Sequence, residues 1–242
     1  MCFAPRDDPW VLDAGWDARR PCLGGGIMKT VALFTQKGGA GKSTLAIHIA
    51  VAAGASHHVL LVDADPQGTV TAWGALRSAP LPFVAKVDPS TIQTLLCSAR
   101  DDGYTLVILD CPPHAVAGTA ALLAVADHIV IPCQPTMPDL AATQRAVLLA
   151  SASGKPFSLV INRAPARAPE VSQALQALQS AGVVSPVTFG DRRAFSRALT
   201  DSLAVTEFGR EDEKAALEVV RYWTWLDQHM QMEDTKWQLE AA

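Results

Sequence analysis

From residue 28 onward the chain alternates short apolar runs with stretches of helical period. The apolar runs are Thr30–Thr35, Val59–Val62, Leu106–Leu109, Ile129–Ile131 and Leu159–Ile161. Unbroken apolar runs of this length suit strands buried on both faces. Between them, Ser43–Ala53, Gly118–Ala126, Leu140–Ser151 and Glu170–Ala181 repeat their apolar residues at helical spacing. Strand and helix in alternation predict βαβ units: an α/β fold, a doubly wound, mostly parallel sheet with helices on both faces. Loops rich in Pro and Gly follow the strand ends, at Asp65-Pro66-Gln67-Gly68, Cys111-Pro112-Pro113 and Gln134–Pro138. That edge is where open α/β sheets bind ligands.

The first 27 residues lack any such period. They mix Pro, Trp10, Trp16 and a Gly24–Gly26 run, with four Asp and three Arg before residue 27 and no apolar h-region, so they are not a signal peptide. We expect a disordered extension, or the product of an upstream start with Met28 the biological one, followed by a single domain over 28–242 with a helical C-terminal tail. Twenty-seven residues are too few for a helix-turn-helix module, and operator-specific binding is not expected.

Composition narrows the class. At 242 residues, 49% hydrophobic and 18% charged, the chain carries enough apolar material for a packed core, which excludes disorder as its main state. Aromatic residues are only 6%, so Ala, Val and Leu supply much of that core. No apolar stretch is long enough to span a membrane. Five cysteines without a C-x-x-C predict neither a disulfide framework nor a thiolate zinc site, and point to a reducing cytoplasm. The net charge of −4 argues against nucleic acid, but it is unevenly placed. Lys155 to Arg197 holds six bases against two acids, whereas Glu211 to the end holds eight acids against three bases. Such polarity places a basic face on an acidic protein.

The strongest chemical signal is Lys37-Gly38-Gly39-Ala40-Gly41-Lys42-Ser43-Thr44, after a strand and before a helix. Glycines let a backbone curl around phosphates, and the helix N-terminus then meets the negative charge. Lys42 is placed for the β/γ phosphates and Ser43 for Mg²⁺. The loop departs from the ordinary P-loop: Gln36 stands where a glycine belongs, and Lys37 is an extra cation five residues before Lys42. Asp63 and Asp65 follow one strand, and Asp110 ends another, positions from which carboxylates can serve a metal and a water. Taken singly, an Asp-Pro pair is equally a turn former, and a strand-end Asp means little.

Together these features resemble the deviant-Walker P-loop ATPases of the ParA/MinD group, most nearly small ParA partition ATPases of the ParF kind. The resemblance runs from Met28 to about Phe208. It rests on the Lys37–Thr44 loop, Asp63-Ala64-Asp65-Pro66-Gln67, Asp110-Cys111-Pro112-Pro113, and Ile129–Pro132 through Asp139-Leu140, followed by Asn162-Arg163. It implies ATP and Mg²⁺ as cofactors, with Ser43, Asp63 and Asp110 serving the metal and Asp65 positioning the attacking water. It implies that Lys37 crosses an ATP-dependent homodimer interface to the partner's phosphates, as an arginine finger does. It implies adenine recognition at Asn162, where a loop-capping amide is the alternative.

The resemblance also implies binding to non-specific DNA through C-terminal basic residues. Arg192, Arg193 and Arg197 are the candidates, on a surface distinct from the phosphate loop, because phosphate neutralisation needs no base contacts. A ParB-like centromere-binding partner would then stimulate hydrolysis, giving a cytoplasmic, nucleoid-associated segregation ATPase. The rivals are a relative that positions another cargo and a metabolic P-loop enzyme, against which Lys37 argues. Membrane binding of the MinD kind is not expected, because the tail, Glu211–Ala242, is net acidic and an anionic bilayer would repel it. Its Leu217, Val220, Trp223, Trp225, Leu226 and Met230 suit packing on the domain or on a partner. Iron–sulfur relatives ligate a cluster through cysteines, but their cysteine contexts are missing here, so Cys111 and Cys133 are expected to be small core residues.

Overall fold

The computed structural model describes residues 28–113, 118–208 and 213–240, so the expected N-terminal extension lies outside the described residues. In chain order the elements are β1 (Lys29–Leu33), α1 (Lys42–Ala53), β2 (Val59–Asp63), α2 (Thr69–Leu76), β3 (Phe83–Lys86), α3 (Ile92–Asp101), β4 (Leu106–Asp110), α4 (Thr119–Ala124), β5 (His128–Cys133), α5 (Met137–Ala152), β6 (Phe157–Ile161), α6 (Pro169–Gln179), β7 (Val183–Val184), α7 (Arg193–Thr200) and α8 (Glu213–Glu240). The strands form one seven-stranded sheet ordered β3-β2-β4-β1-β5-β6-β7, and every pair is parallel. The doubly wound α/β expectation holds.

Alternate residues of each strand feed two separate cores. Val31, Leu33, Leu61 and Ile108 face the layer of α1, α2, α7 and α8. Ala32, Leu60, Val107 and Leu109 face the layer of α3, α4, α5 and α6. Both layers exclude water, which is why these strands read as unbroken apolar runs rather than as alternating ones. Helix α1 is apolar all round for a related reason: its buried Leu45, Ile47 and Ile49 share one core with the sheet and with Tyr222, Leu226 and Met230 of α8. Full burial of each such side chain contributes about 1.5–3 kcal/mol relative to exposure.

The tail therefore packs on the domain, as expected for Trp223, Leu226 and Met230, while Leu217 and Val220 remain exposed. Among the described residues no helix is long and apolar enough to cross a membrane. Two strands escape a sequence reading. β7 has two residues, and β3 has four, whose place is fixed by pairing Phe83 with Leu60 of β2. Helix α2 lies close on β3 because Gly74 has no side chain: a Cβ there would meet Val84 Cγ2 at 2.7 Å. Cys111 and Cys133 are free and buried, as expected of small core residues.

Candidate functional site

The loops that leave β1, β2, β4 and β6 all emerge at the carboxyl edge of the sheet, and with α7 they enclose a cavity of about 440 Å³. Its floor is the loop between β1 and α1. Gly39 and Gly41 adopt φ of 77° and 93°, a left-handed conformation that a side chain resists. Gly41 is doubly constrained, because a Cβ on it would lie 2.2 Å from Asn162 Nδ2. The loop delivers Lys42 to the first position of α1, 5% exposed. Burial pushes the Lys42 pKa down, and Asp110 and Asp65 pull against it. An ammonium held in a dry site by carboxylates and facing a glycine loop is suited to an anion of high charge.

The three candidate carboxylates differ sharply in what holds them. Asp63 Oδ2 accepts from Thr71 N at 2.7 Å and Thr71 Oγ1 at 2.8 Å, and its Oδ1 accepts from Asp65 N at 3.1 Å. Both oxygens thus help to fix the start of α2 and the β2 loop, where a supporting role to the metal was expected. Asp65 is nearly buried and accepts from Gln67 N at 3.0 Å, leaving its carboxylate on the cavity wall. Asp110 is fully buried, and neither oxygen has a hydrogen-bond partner of good geometry among the described residues. Burial raises its pKa to about 7. Ser43 and Lys42 pull it down, and Asp63 and Asp65 push it further up. A buried carboxylate left unsatisfied beside Ser43 fits a hydrated divalent cation. Ser43 and Asp110 are the residues that could hold one.

Lys37 and Asn162 are both occupied within the chain. Lys37 Nζ lies 2.6 Å from Oδ2 of the buried Asp139, which Thr136 also contacts at the start of α5. Gln134 Nε2 donates to Gly39 O at 2.9 Å, so the β5–α5 loop clasps the phosphate loop from the side. Asn162 Nδ2 donates to Ala40 O at 2.8 Å, and its Oδ1 accepts from Arg163 N at 3.0 Å. That is the bracing alternative left open by the sequence; one N–H and one lone pair remain on the amide. Asp139 entered the sequence reading only as part of a family motif, Gln134 only as part of a loop and Thr71 not at all, since only the fold brings them to residues 37, 39 and 63.

A profile of the CobQ/CobB/MinD/ParA nucleotide-binding domain matches residues 31–200. The chain belongs to this family. A protein named for maintenance of carboxysome distribution, from Gloeobacter kilaueensis, is 34% identical over 78% of this chain and 88% of its own length. The chromosome-partitioning ATPase Soj of Thermus thermophilus is 35% identical over 44% of this chain and 55% of its own length. The ATP complex of Cyanothece McdA superposes with a TM-score of 0.68 at 18% identity, covering 81% of this chain and 96% of that one. MinD of Pyrococcus furiosus superposes with a TM-score of 0.66 at 16% identity, covering 84% and 99%. ATPase activity is the common property of the ParA/MinD branch, and the expected likeness to it holds.

Within this family fold the arginine cluster divides. Arg192 does not sit on a distinct surface, as the sequence suggested, but lines the phosphate-loop cavity. Its Nε and Nη2 donate to Glu218 Oε1 of α8 at 3.0 and 2.6 Å, and Glu218 Oε2 accepts from Gly190 N at 3.1 Å. The bond to Glu218 raises the guanidinium pKa further. Arg193 and Arg197 are exposed on α7, four residues apart and so on one helical face, with the Arg197 guanidinium 5.5 Å from the Phe208 ring centre.

Proposed function

We propose that this protein is a dimerising Mg-ATPase that uses DNA as a track to distribute a cargo. The single observation that carries the reading is the junction of β1 and α1. A left-handed glycine loop presents buried Lys42, with the unsatisfied Asp110 beside Ser43 behind it. Backbone N–H groups from Gly38 to Thr44 and the Lys42 ammonium would bind the phosphates, and Ser43 with Asp110 would hold Mg²⁺ through its water shell. When bound, the metal neutralises charge on the transferring phosphoryl group. Asp65, on the cavity wall, would orient the attacking water, while Asp63 keeps that loop in place through Thr71. Asn162 braces the loop and offers its remaining N–H and lone pair to an adenine edge.

Lys37 is the residue that makes the reading one of dimerisation. A nucleotide in a facing copy would draw its ammonium away from Asp139, and the partner's phosphates would gain a cation only in the dimer. DNA contact is assigned to Arg193 and Arg197, which are exposed, and withdrawn from Arg192, which Glu218 holds.

Two cargoes are in competition. The relatives named for carboxysome distribution match 78% of the chain, against 44% for the first Soj relative, which favours a protein assembly as cargo. Segregation of plasmid or chromosomal DNA with a ParB-like partner is the second reading, supported by the identity to Soj. ATP turnover measured alone, with duplex DNA, and with DNA plus the product of the adjacent gene tests the proposal. Stimulation by both additions is expected. Turnover indifferent to DNA would remove the track, and a stimulating partner that binds repeated DNA sites would select segregation over positioning.

A further inference from the structure

At the amino edge of the sheet, opposite the nucleotide cavity, a second cluster of metal-ligating groups forms between β5 and α8. His128 opens β5 and is fully buried. Its Nδ1 lies 3.1 Å from Glu233 Oε2, and its Nε2 lies 2.8 Å from Ser158 Oγ of β6. His229 precedes Glu233 by one helical turn on α8, with Nε2 3.4 Å from Glu233 Oε1. That nitrogen is buried and makes no hydrogen bond of good geometry among the described residues. One ligand atom from each of the three residues falls within 4.8 Å of the others.

We propose that His128 Nδ1, His229 Nε2 and the Glu233 carboxylate bind a transition-metal dication of the zinc class. Zinc lies about 2.0–2.2 Å from imidazole nitrogens and carboxylate oxygens, so two ligand atoms on a tetrahedron stand about 3.3 Å apart. The two nitrogen-to-carboxylate separations are near that edge but run to different oxygens, so a small turn of the Glu233 carboxylate brings one oxygen to both nitrogens. The rings are set for the task. Ser158 Oγ can accept as well as donate, so it can take the Nε2 hydrogen of His128 once a metal occupies Nδ1 in place of the proton now shared with Glu233. The Trp225 ring stacks on His229 at 5.2 Å and 9°, and the two imidazoles stand at 90° to one another. His229 Nε2 makes no hydrogen bond of good geometry among the described residues, a cost that a metal removes. Part of His229 and Glu233 reaches solvent, so water can enter to complete four-coordination.

Such a site would staple the distal half of α8 to β5 and β6, and so stabilise the layer that α8 builds over α1. It involves none of the residues assigned to ATP and stands or falls apart from that reading.

The test uses the full chain stripped with a chelator, then given Mg-ATP in excess to occupy the phosphate-loop carboxylates. Zinc is titrated against a chromophoric chelator, and cobalt(II) is added separately and followed in the visible. One zinc per chain, a raised melting temperature, and the strong visible absorption of tetrahedral rather than octahedral cobalt are expected. His229→Gln and Glu233→Gln should each weaken zinc binding by about 10–100-fold or more and abolish the thermal shift, whereas Asp110→Asn should leave both unchanged. Absence of stoichiometric zinc, octahedral cobalt, or binding that survives both α8 variants would overturn the proposal. Should either variant fold poorly, the wild-type cobalt spectrum decides by itself.

Discussion

The phosphate loop and Arg192, just before α7, border the same cavity, yet they are held in opposite ways. The loop is built from eight consecutive residues whose shape comes from glycine backbone and a helix start. The backbone of the loop itself brings Lys42 to the first position of α1. Arg192 is placed by Glu218, 26 residues away on another helix, while Arg193, its neighbour in sequence, is left exposed. Local backbone chemistry keeps its meaning wherever it occurs. A charge takes its meaning from whatever the fold sets beside it.

That contrast can be broken at several points. Lys42→Ala should have the largest effect, weakening ATP binding about 100-fold or more, as expected when about 3 kcal/mol of charge-assisted hydrogen bonding to phosphate is removed. Equilibrium binding of labelled ATP measures it, and near-normal affinity would dissolve the distinction between the loop and its surroundings.

Asp110 tests the same region through pH. Its folded pKa, about 7, stands above the ordinary 3.8, so between these values the native state binds the more protons. Stability of the nucleotide-free protein should therefore fall as pH rises from about 4 to about 7. Asp110→Asn should flatten that slope and stabilise the metal-free chain at pH 7 by on the order of 2 kcal/mol, while depriving Mg²⁺ of its ligand. Denaturant melts across this range, with and without Mg-ATP, read both effects. A slope of opposite sign would mean that the carboxylate is satisfied after all.

The arginines should separate by kind of effect. Arg193→Ala with Arg197→Ala should lower the slope of log DNA affinity against log salt by about 0.9 for each phosphate no longer neutralised. Arg192→Ala should leave that slope alone and reduce stability by about 1 kcal/mol, a modest figure because the pair is partly exposed. Salt titrations of duplex binding in ATP check the first, and chemical denaturation the second. An equal change of slope in all three variants would restore Arg192 to the DNA surface.

Much of the fold was legible because the five longest strands are buried on both faces, and the helices between them must cover those faces. β3 and β7 were not, since two to four residues carry no period of their own. In the site, Lys42 and Ser43 were legible from the loop alone. The division of labour among carboxylates was not. Asp63 and Asp110 look alike as strand-end acids, and they differ because Thr71 donates twice to the first, whereas the second makes no hydrogen bond of good geometry among the described residues. The same limit hid the His128–His229–Glu233 cluster, in which β5 and α8 are joined across about a hundred residues. Cysteine spacing, the usual sign of a zinc site, has no bearing on such a set.

Whether ATP drives two copies together through Lys37, as proposed, is tested most directly by sedimentation of the purified chain. Wild type should be monomeric without nucleotide and dimeric with Mg-ATP. Asp65→Ala should accumulate the dimer while turnover falls, because water is no longer positioned but the nucleotide still binds. Lys37→Ala should bind ATP and remain monomeric. A wild-type chain that stays monomeric when saturated with ATP, or a Lys37→Ala chain that dimerises and turns over as wild type does, would contradict the account.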